Sequence, residues 1–235
     1  MARTMPEERL GDLLAAATRV FIEHGYRRTQ IADVADALGV AKGTIYLYVQ
    51  SKEALFYAAL RWADGEAPAT SEVPLPLVAP PVDQIAALVR ERLEEESVPP
   101  PLAAALDRPV DDVADVGAEL AEILEALFDT AYRSRTVVKL IDRCGRDHPE
   151  IARTFYEGGR IAQLDALIRY FDARTRAGAL AAIDDPRVTA RFVIETVATW
   201  AVHIHWDPHP QELDPDTARR AVLALLGRSL GAEPS

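Results

Sequence analysis

The sequence predicts an all-α chain in two units, and three observations predict it. Apolar residues recur at three- and four-residue steps through most of the 235 residues, a spacing that gathers them on one face of a helix. No stretch shows strand-like alternation of useful length, and there is no internal repeat. Within Thr29 to Leu55, a glycine elbow joins two short apolar-faced segments, the pattern of a helix-turn-helix. The expected division is a small unit at 1–60 and a larger helical unit at 61–235.

The first helix is expected to bury Leu10, Leu13, Leu14, Ala17, Val20 and Phe21, ending before Gly25. Thr29 is a good N-cap for the next helix, whose inner face is Ile31, Val34, Ala35 and Leu38. Gly39 makes the elbow, because a Cβ there would resist a positive φ. Val40 is expected to plug the space between the helices. The second helix of the motif should run from Ala41 to Val49, with Ile45 and Val49 inward and Lys42, Gly43, Thr44, Leu47 and Tyr48 outward. Gly43 costs about 1 kcal/mol in a helix relative to alanine; it makes sense where a side chain would strike a base edge. Ser51 caps the following helix. Lys52 in its first turn opposes the helix dipole, a conflict that a nearby phosphate would relieve.

Taken together, Gly25-Tyr26, Thr29, Gly39-Val40, Lys42-Gly43-Thr44-Ile45-Tyr46 and Ser51-Lys52-Glu53-Ala54-Leu55 resemble the TetR family of transcriptional repressors. The resemblance implies an all-α homodimer, with an N-terminal helix-turn-helix DNA-binding domain and a C-terminal helical effector-binding and dimerisation domain. It also implies that Lys42, Gly43, Thr44 and Leu47 face bases or flanking phosphates, and that Thr29, Tyr46, Tyr48 and Lys52 grip the DNA backbone. Tyr46 suits a packing role with a wet hydroxyl equally well, and Lys52 suits a solvated lysine. Three positions depart from the family pattern: Ala41 where serine is frequent, Leu47 where histidine is, and Val49 where an aromatic is. Leu47 would suit a thymine methyl.

Composition fits this picture. Hydrophobic residues make up 49%, which favours a globular chain over a disordered one. No apolar run reaches the ~20 residues that span a bilayer. The N-terminus lacks a signal-peptide pattern, and the one cysteine, Cys144, fits a reducing cytosol; a cytoplasmic location is expected. Net charge is −11, yet residues 1–60 hold 7 basic and 7 acidic side chains, so the acidity lies wholly in the remainder. An acidic body would be repelled by a duplex it touched. Arg3, Arg9, Arg27 and Arg28 would suit phosphates.

Farther along, the helix from Ser51 is expected to fade at Asp64-Gly65, and the proline-rich stretch 66–81 to form a linker or extended crossing. Helices are expected at Asp83–Glu96, Val113–Tyr132 and Ser134–Arg143, with Pro99 to Pro101 as a break. A long helix should run from His148-Pro149 to about Ala177, softened at Gly158-Gly159, with Ile151, Phe155, Ile161, Leu164, Leu167, Ile168 and Phe171 inward. Val188 to Trp206 is apolar nearly all round, which demands burial on every side. With a last helix at Asp216–Leu230, it would form a four-helix interface between two copies.

A ligand that binds two dimer states differently would shift between them. Candidate contacts for a small apolar or aromatic effector are Tyr132, Phe155, Tyr156, Arg160, Gln163, Trp200 and His203, for most of which a plain core role fits better. His203, His205, Asp207 and His209 carry metal-ligand chemistry, and a metal-assisted hydrolase using His203, His205 and Asp207 is the rival from another class. Against it, residues two apart point to different sides of a helix, and no base, nucleophile and orienting group stand at believable spacing. The expected absences are a cofactor, a resident metal and catalysis. A transcriptional activator of the same fold is the nearer alternative.

Overall fold

A computed structural model describes residues 7–65, 74–81, 84, 87, 89–90, 97–180 and 183–231. Among these the chain is helical: α1 (Glu7–His24), α2 (Ile31–Leu38), α3 (Lys42–Ile45), α4 (Lys52–Ala63), α5 (Pro100–Asp107), α6 (Val116–Arg133), α7 (Arg135–Cys144), α8 (Pro149–Arg153), α9 (Ile161–Arg176), α10 (Pro186–Ala201) and α11 (Pro215–Ser229). Contacts divide the chain into two compact units. The first takes residues 1–89 and 136–153, the second 90–135 and 154–235. The first unit thus extends past the expected boundary at residue 60 and recruits a distant segment.

In the first unit, α1 packs on α2 and α4, and α2 on α3. Leu13, Leu14, Phe21, Val34, Ile45, Val49, Leu55 and Phe56 are its core. Their burial follows from the periodicity that predicts them. Ser51 caps α4 by accepting from the Ala54 N–H at 3.1 Å. The recruited segment is stitched to the end of α1. Arg143 Nε donates to the Ile22 carbonyl at 2.8 Å and Nη2 to that of Glu23 at 2.9 Å. His148 stacks on Phe56 with ring centroids 4.4 Å apart and meets Tyr26 edge-on at 4.3 Å. Gly145 permits the close approach of α7 and α8: a Cβ there would sit 2.7 Å from the Ile141 carbonyl oxygen and 2.8 Å from Ala152 Cβ.

In the second unit, α6 packs against α5, α10 and α11, and α9 against α5 and α10. A buried ion pair crosses this core. Arg174 of α9 donates from Nε to Glu119 Oε2 at 2.8 Å and from Nη2 to Oε1 at 3.0 Å, and also to the Ala105 carbonyl at 2.8 Å. Carboxylates cap three helices: Asp115 accepts from the Ala118 N–H at 2.9 Å, Asp185 from the Arg187 N–H at 2.8 Å, and Asp214 from the Thr217 N–H at 2.8 Å.

Several expectations are corrected. Pro99 to Pro101 do more than break a helix: Pro100 and Pro101 begin α5, since proline suits the first turn, where N–H groups have no helical partner. The helix expected from Pro149 to Ala177 is interrupted by a π-helical stretch, Thr154–Arg160, across Gly158-Gly159. A wider turn rotates the face presented by the residues after it, and Ile161, expected inward, is exposed. The helix expected from Val188 to Trp206 stops at Ala201 and continues as a 3-10 turn, His203–Trp206, ahead of Pro208 and Pro210, which cannot extend it. On a single chain Val188 and Phe192 of this helix are exposed, the latter at 56%, which leaves them for the expected interface between two copies. The helix expected at Asp83–Glu96 lies largely outside the described residues, as does 66–73.

Candidate nucleic-acid interface

The motif is built from backbone geometry outward. Gly39 adopts φ 65, and its N–H and that of Val40 close α2 by donating to the Asp36 and Ala35 carbonyls. Ala41, with no side-chain acceptor, stands at the start of α3. After Ile45 the chain tightens: the Tyr48 N–H reaches the Ile45 carbonyl at 2.9 Å and the Leu47 N–H that of Thr44 at 3.2 Å. The reading helix is therefore four residues plus a tightened turn, shorter than the expected 41–49.

On this short element Lys42, Gly43, Tyr46 and Leu47 are exposed and Thr44 is half-buried. Leu47 leaves 57% of its surface in water, an unusual placement for a leucine unless something covers it. A Cβ added at Gly43 would meet nothing within 4 Å, so nothing within the protein requires glycine there.

Three side chains expected to face DNA are buried or engaged within the protein. Thr29 is buried, and its hydroxyl donates to the Gly25 carbonyl at 2.8 Å. The N-cap of α2 is the next residue, Gln30, whose N–H donates to Asp33 Oδ2 at 2.7 Å. Tyr48 is turned inward and only 3% exposed, because the tightening after Ile45 swings it onto the core side. Lys52 donates from Nζ to the carbonyls of Tyr26 at 3.1 Å and Thr29 at 3.0 Å, with its ammonium 4.4 Å from the Tyr26 ring centroid. The lysine that looked misplaced at a helix start thus has acceptors inside the protein. Val40, expected as a plug, is partly exposed.

The proline-rich linker contributes a contact that the sequence pattern did not lead us to expect. At Leu77 it pairs with the joint after the reading helix, in a parallel bridge with Val49. The signal was there in Pro74-Leu75-Pro76-Leu77, where leucines alternate with prolines.

Residues 13–59 match the family described as bacterial regulatory proteins, tetR family, and residues 118–228 match the C-terminal domain of AefR-like transcriptional repressors. The chain belongs to the TetR family. The activator FasR of Mycolicibacterium smegmatis is 40% identical over 55 residues, 23% of this chain and 25% of that protein. The fatty acid metabolism regulator of Bacillus subtilis is 37% identical over 54 residues, 23% of this chain and 28% of that protein. The chain therefore spans about a quarter of the length of the curated relatives it matches. The solved structure of the ketosteroid regulator KstR2 of Mycobacterium tuberculosis aligns over 99% of this chain and 100% of its own, with a TM-score of 0.57 and 17% identity. At that identity the likeness concerns the fold.

In the second unit of this TetR-family chain, the candidate effector contacts fall into two groups. Tyr132 meets His205 edge-on at 5.4 Å and lies under the Arg135 guanidinium at 4.1 Å. Phe155 and Tyr156 pack edge-to-face on the π-helical stretch, with Arg160 5.9 Å from the Tyr156 ring. Arg160 Nη2 donates to Glu195 of α10, while its Nε is buried with no protein acceptor. Gln163, Trp200 and His203 are half-buried. The rival hydrolase constellation is not assembled: Asp207 accepts the His209 N–H at 2.8 Å, and no group of three His, Cys, Asp or Glu among the described residues is placed to share a metal ion. No helix among the described residues is long and apolar enough to cross a membrane.

Proposed function

We propose that this chain is a ligand-responsive transcriptional repressor that binds a palindromic operator as a homodimer and is released by a small-molecule inducer. The observation that carries it is the set of exposed Lys42, Gly43, Tyr46 and Leu47 and half-buried Thr44 on one short helix and the turn that follows it. It stands in a family of regulators, in a chain whose C-terminal region matches a repressor domain. Lys42, Thr44 and Leu47 read base edges or adjoining phosphates, Gly43 lets the helix approach them, and Tyr46 reaches the backbone. Dimerisation uses α10 and α11, where Val188 and Phe192 on one helix and Leu225 on the other leave apolar surface in water. A twofold dimer sets two reading helices about 34–36 Å apart, one DNA turn.

The inducer has an apolar or aromatic body for Phe155, Tyr156 and Trp200, and an acceptor group for the buried Arg160 Nε. Pockets of this kind are mostly apolar with few polar anchors. The protein is not an enzyme on this reading, and it acts in the cytoplasm.

Gel shift with a duplex selected from random-sequence DNA tests the reading helix. Two symmetric half-sites with centres about 10 base pairs apart are expected. Asymmetric selection, or none, defeats the proposal. A reporter placed behind the selected duplex must fall on expression of the protein; a rise instead supports an activator. Phe192→Glu should give a monomer by light scattering and lose operator binding.

A further inference from the structure

We infer that Leu77 is a positioning residue for the reading helix, and that the linker strap Pro74–Leu77 fixes the angle at which α3 presents its side chains. The inference rests on the DNA-reading function proposed above, and it concerns residues outside the reading helix.

The joint Tyr48-Val49-Gln50 connects α3 to the Ser51 cap of α4. Both free backbone groups of Leu77 are used on it. The Leu77 N–H donates to the Tyr48 carbonyl at 2.7 Å, and the Leu77 carbonyl accepts from the Gln50 N–H at 2.9 Å. Leu77 itself is only 8% exposed, beside Tyr48 and Val49, which are also buried. The strap therefore holds the joint by two hydrogen bonds and an apolar anchor. The neighbouring Val78 is exposed, so burial is specific to the residue that makes the bridge.

α3 is held at its far end by buried side chains and by the strap. Its four residues are too short to sustain a helix alone, since nucleation fixes several residues for one bond. Its N-cap, Ala41, offers no side-chain acceptor. At its start the chain is held by the elbow bond from Val40 to Ala35. At its end, Ile45 and Val49 are buried and the strap closes the backbone. Without the strap, the Tyr48 carbonyl and Gln50 N–H would lose these partners, and the joint could pivot about its buried side chains. Base readout depends on placement to within a fraction of an ångström; phosphate attraction does not. Losing the strap should therefore lower operator affinity more than non-specific affinity.

The test uses the full chain with Leu77→Gly, which is uncharged and so adds no repulsion of phosphate, and Leu77→Ile as the conservative control. Leu77→Gly keeps both backbone hydrogen-bonding groups but removes the apolar anchor and frees the backbone, and should bind the selected duplex about tenfold more weakly. Binding to a scrambled duplex should stay the same, and Leu77→Ile should restore the wild-type ratio. Unchanged operator affinity, or equal loss on both duplexes, overturns the inference. Hydrogen exchange on DNA-free protein separates this from failure of the reading itself. The Gln50 and Leu77 amides should be protected in wild type, and Gln50 should exchange faster in Leu77→Gly. Absence of protection in wild type overturns the strap whatever DNA does, whereas protection without any duplex preference in wild type overturns the DNA-reading function on which the inference stands.

Discussion

In the first unit, two cationic side chains bind main-chain carbonyls, Lys52 those of Tyr26 and Thr29 and Arg143 those of Ile22 and Glu23, while Arg27 pairs with Asp147 at the surface. In the second, arginines bind carboxylates between helices: Arg174 with Glu119 in the core, where it also reaches the Ala105 carbonyl, and Arg160 with Glu195 and Arg219 with Asp129 nearer the surface. Carbonyl partners fix the path of the backbone, which a protein that reads base edges needs. Carboxylate pairs fix one helix against another and can be exchanged when helices shift. The difference suits a rigid reading end and a body whose packing answers to a ligand.

The largest expected effect tests the body. Arg174→Met removes a guanidinium that is almost fully buried and strands the Glu119 carboxylate, with Arg108 3.6 Å away as its remaining cationic neighbour. Breaking a buried pair from one side costs about 3–5 kcal/mol. Urea unfolding should show this loss, and adding Glu119→Leu should recover most of it. A loss as small as that of a surface pair would mean the core does not depend on the charge.

The reading helix ranks second. Gly43→Ala should leave the free protein as stable or up to about 1 kcal/mol more stable, because a Cβ has open space there and alanine favours helix. The same methyl should weaken operator binding by about 1–3 kcal/mol, the range of a lost base contact. Gel shift and thermal melting on one preparation give both signs. Undiminished binding would remove the reason for glycine at this position.

These two sites also show what a sequence can disclose. The elbow at Gly39, the buried face of Ile31, Val34 and Ala35, and the outward Lys42 and Gly43 were legible because each follows from local periodicity or backbone sterics. Thr29 and Tyr48 were misread by a small rotation: one cap position in the first case, a tightened turn in the second. The ties of Lys52 to Tyr26 and Thr29 were not legible, because these acceptors lie more than 20 positions upstream and a carbonyl leaves no mark on a sequence. The pair Arg174–Glu119 spans 55 positions, and no local pattern signals it. The π-helical stretch was half visible in Gly158-Gly159, but not the rotation that turned Ile161 outward.

A smaller effect separates the two roles read for Lys52. As a tie between α4 and the turn before α2, it contributes two charge-assisted hydrogen bonds in a half-buried setting. Lys52→Met should then cost about 1–2 kcal/mol of stability. The salt dependence of operator binding should keep its slope. A lysine on phosphate would instead lower that slope by about one unit and leave stability alone.

The smallest effect is a pH dependence confined to the first unit. Burial against Phe56 and Tyr26 lowers the His148 pKa below its ordinary 6.5, outweighing Asp147 and Glu53, which raise it; Lys52 adds to the lowering. The folded unit therefore favours the neutral imidazole. Above about pH 6.5 both states are neutral and the contribution of His148 is whole. As pH falls below 6.5, the unfolded chain takes up the proton first, so stability declines until the depressed native value is reached, and then levels off. The decline within that window is at most about 1.4 kcal/mol per pH unit. His148→Phe keeps a ring against Phe56 and should flatten this dependence. Hydrogen exchange of the α4 amides, followed from about pH 7.5 to about pH 5.5, isolates the first unit from His205, whose pKa is also lowered by burial but which belongs to the second. Correction for the intrinsic pH dependence of exchange is required. Equal slopes for wild type and His148→Phe would show that the imidazole is not held neutral, and that the recruited segment meets the reading unit without it.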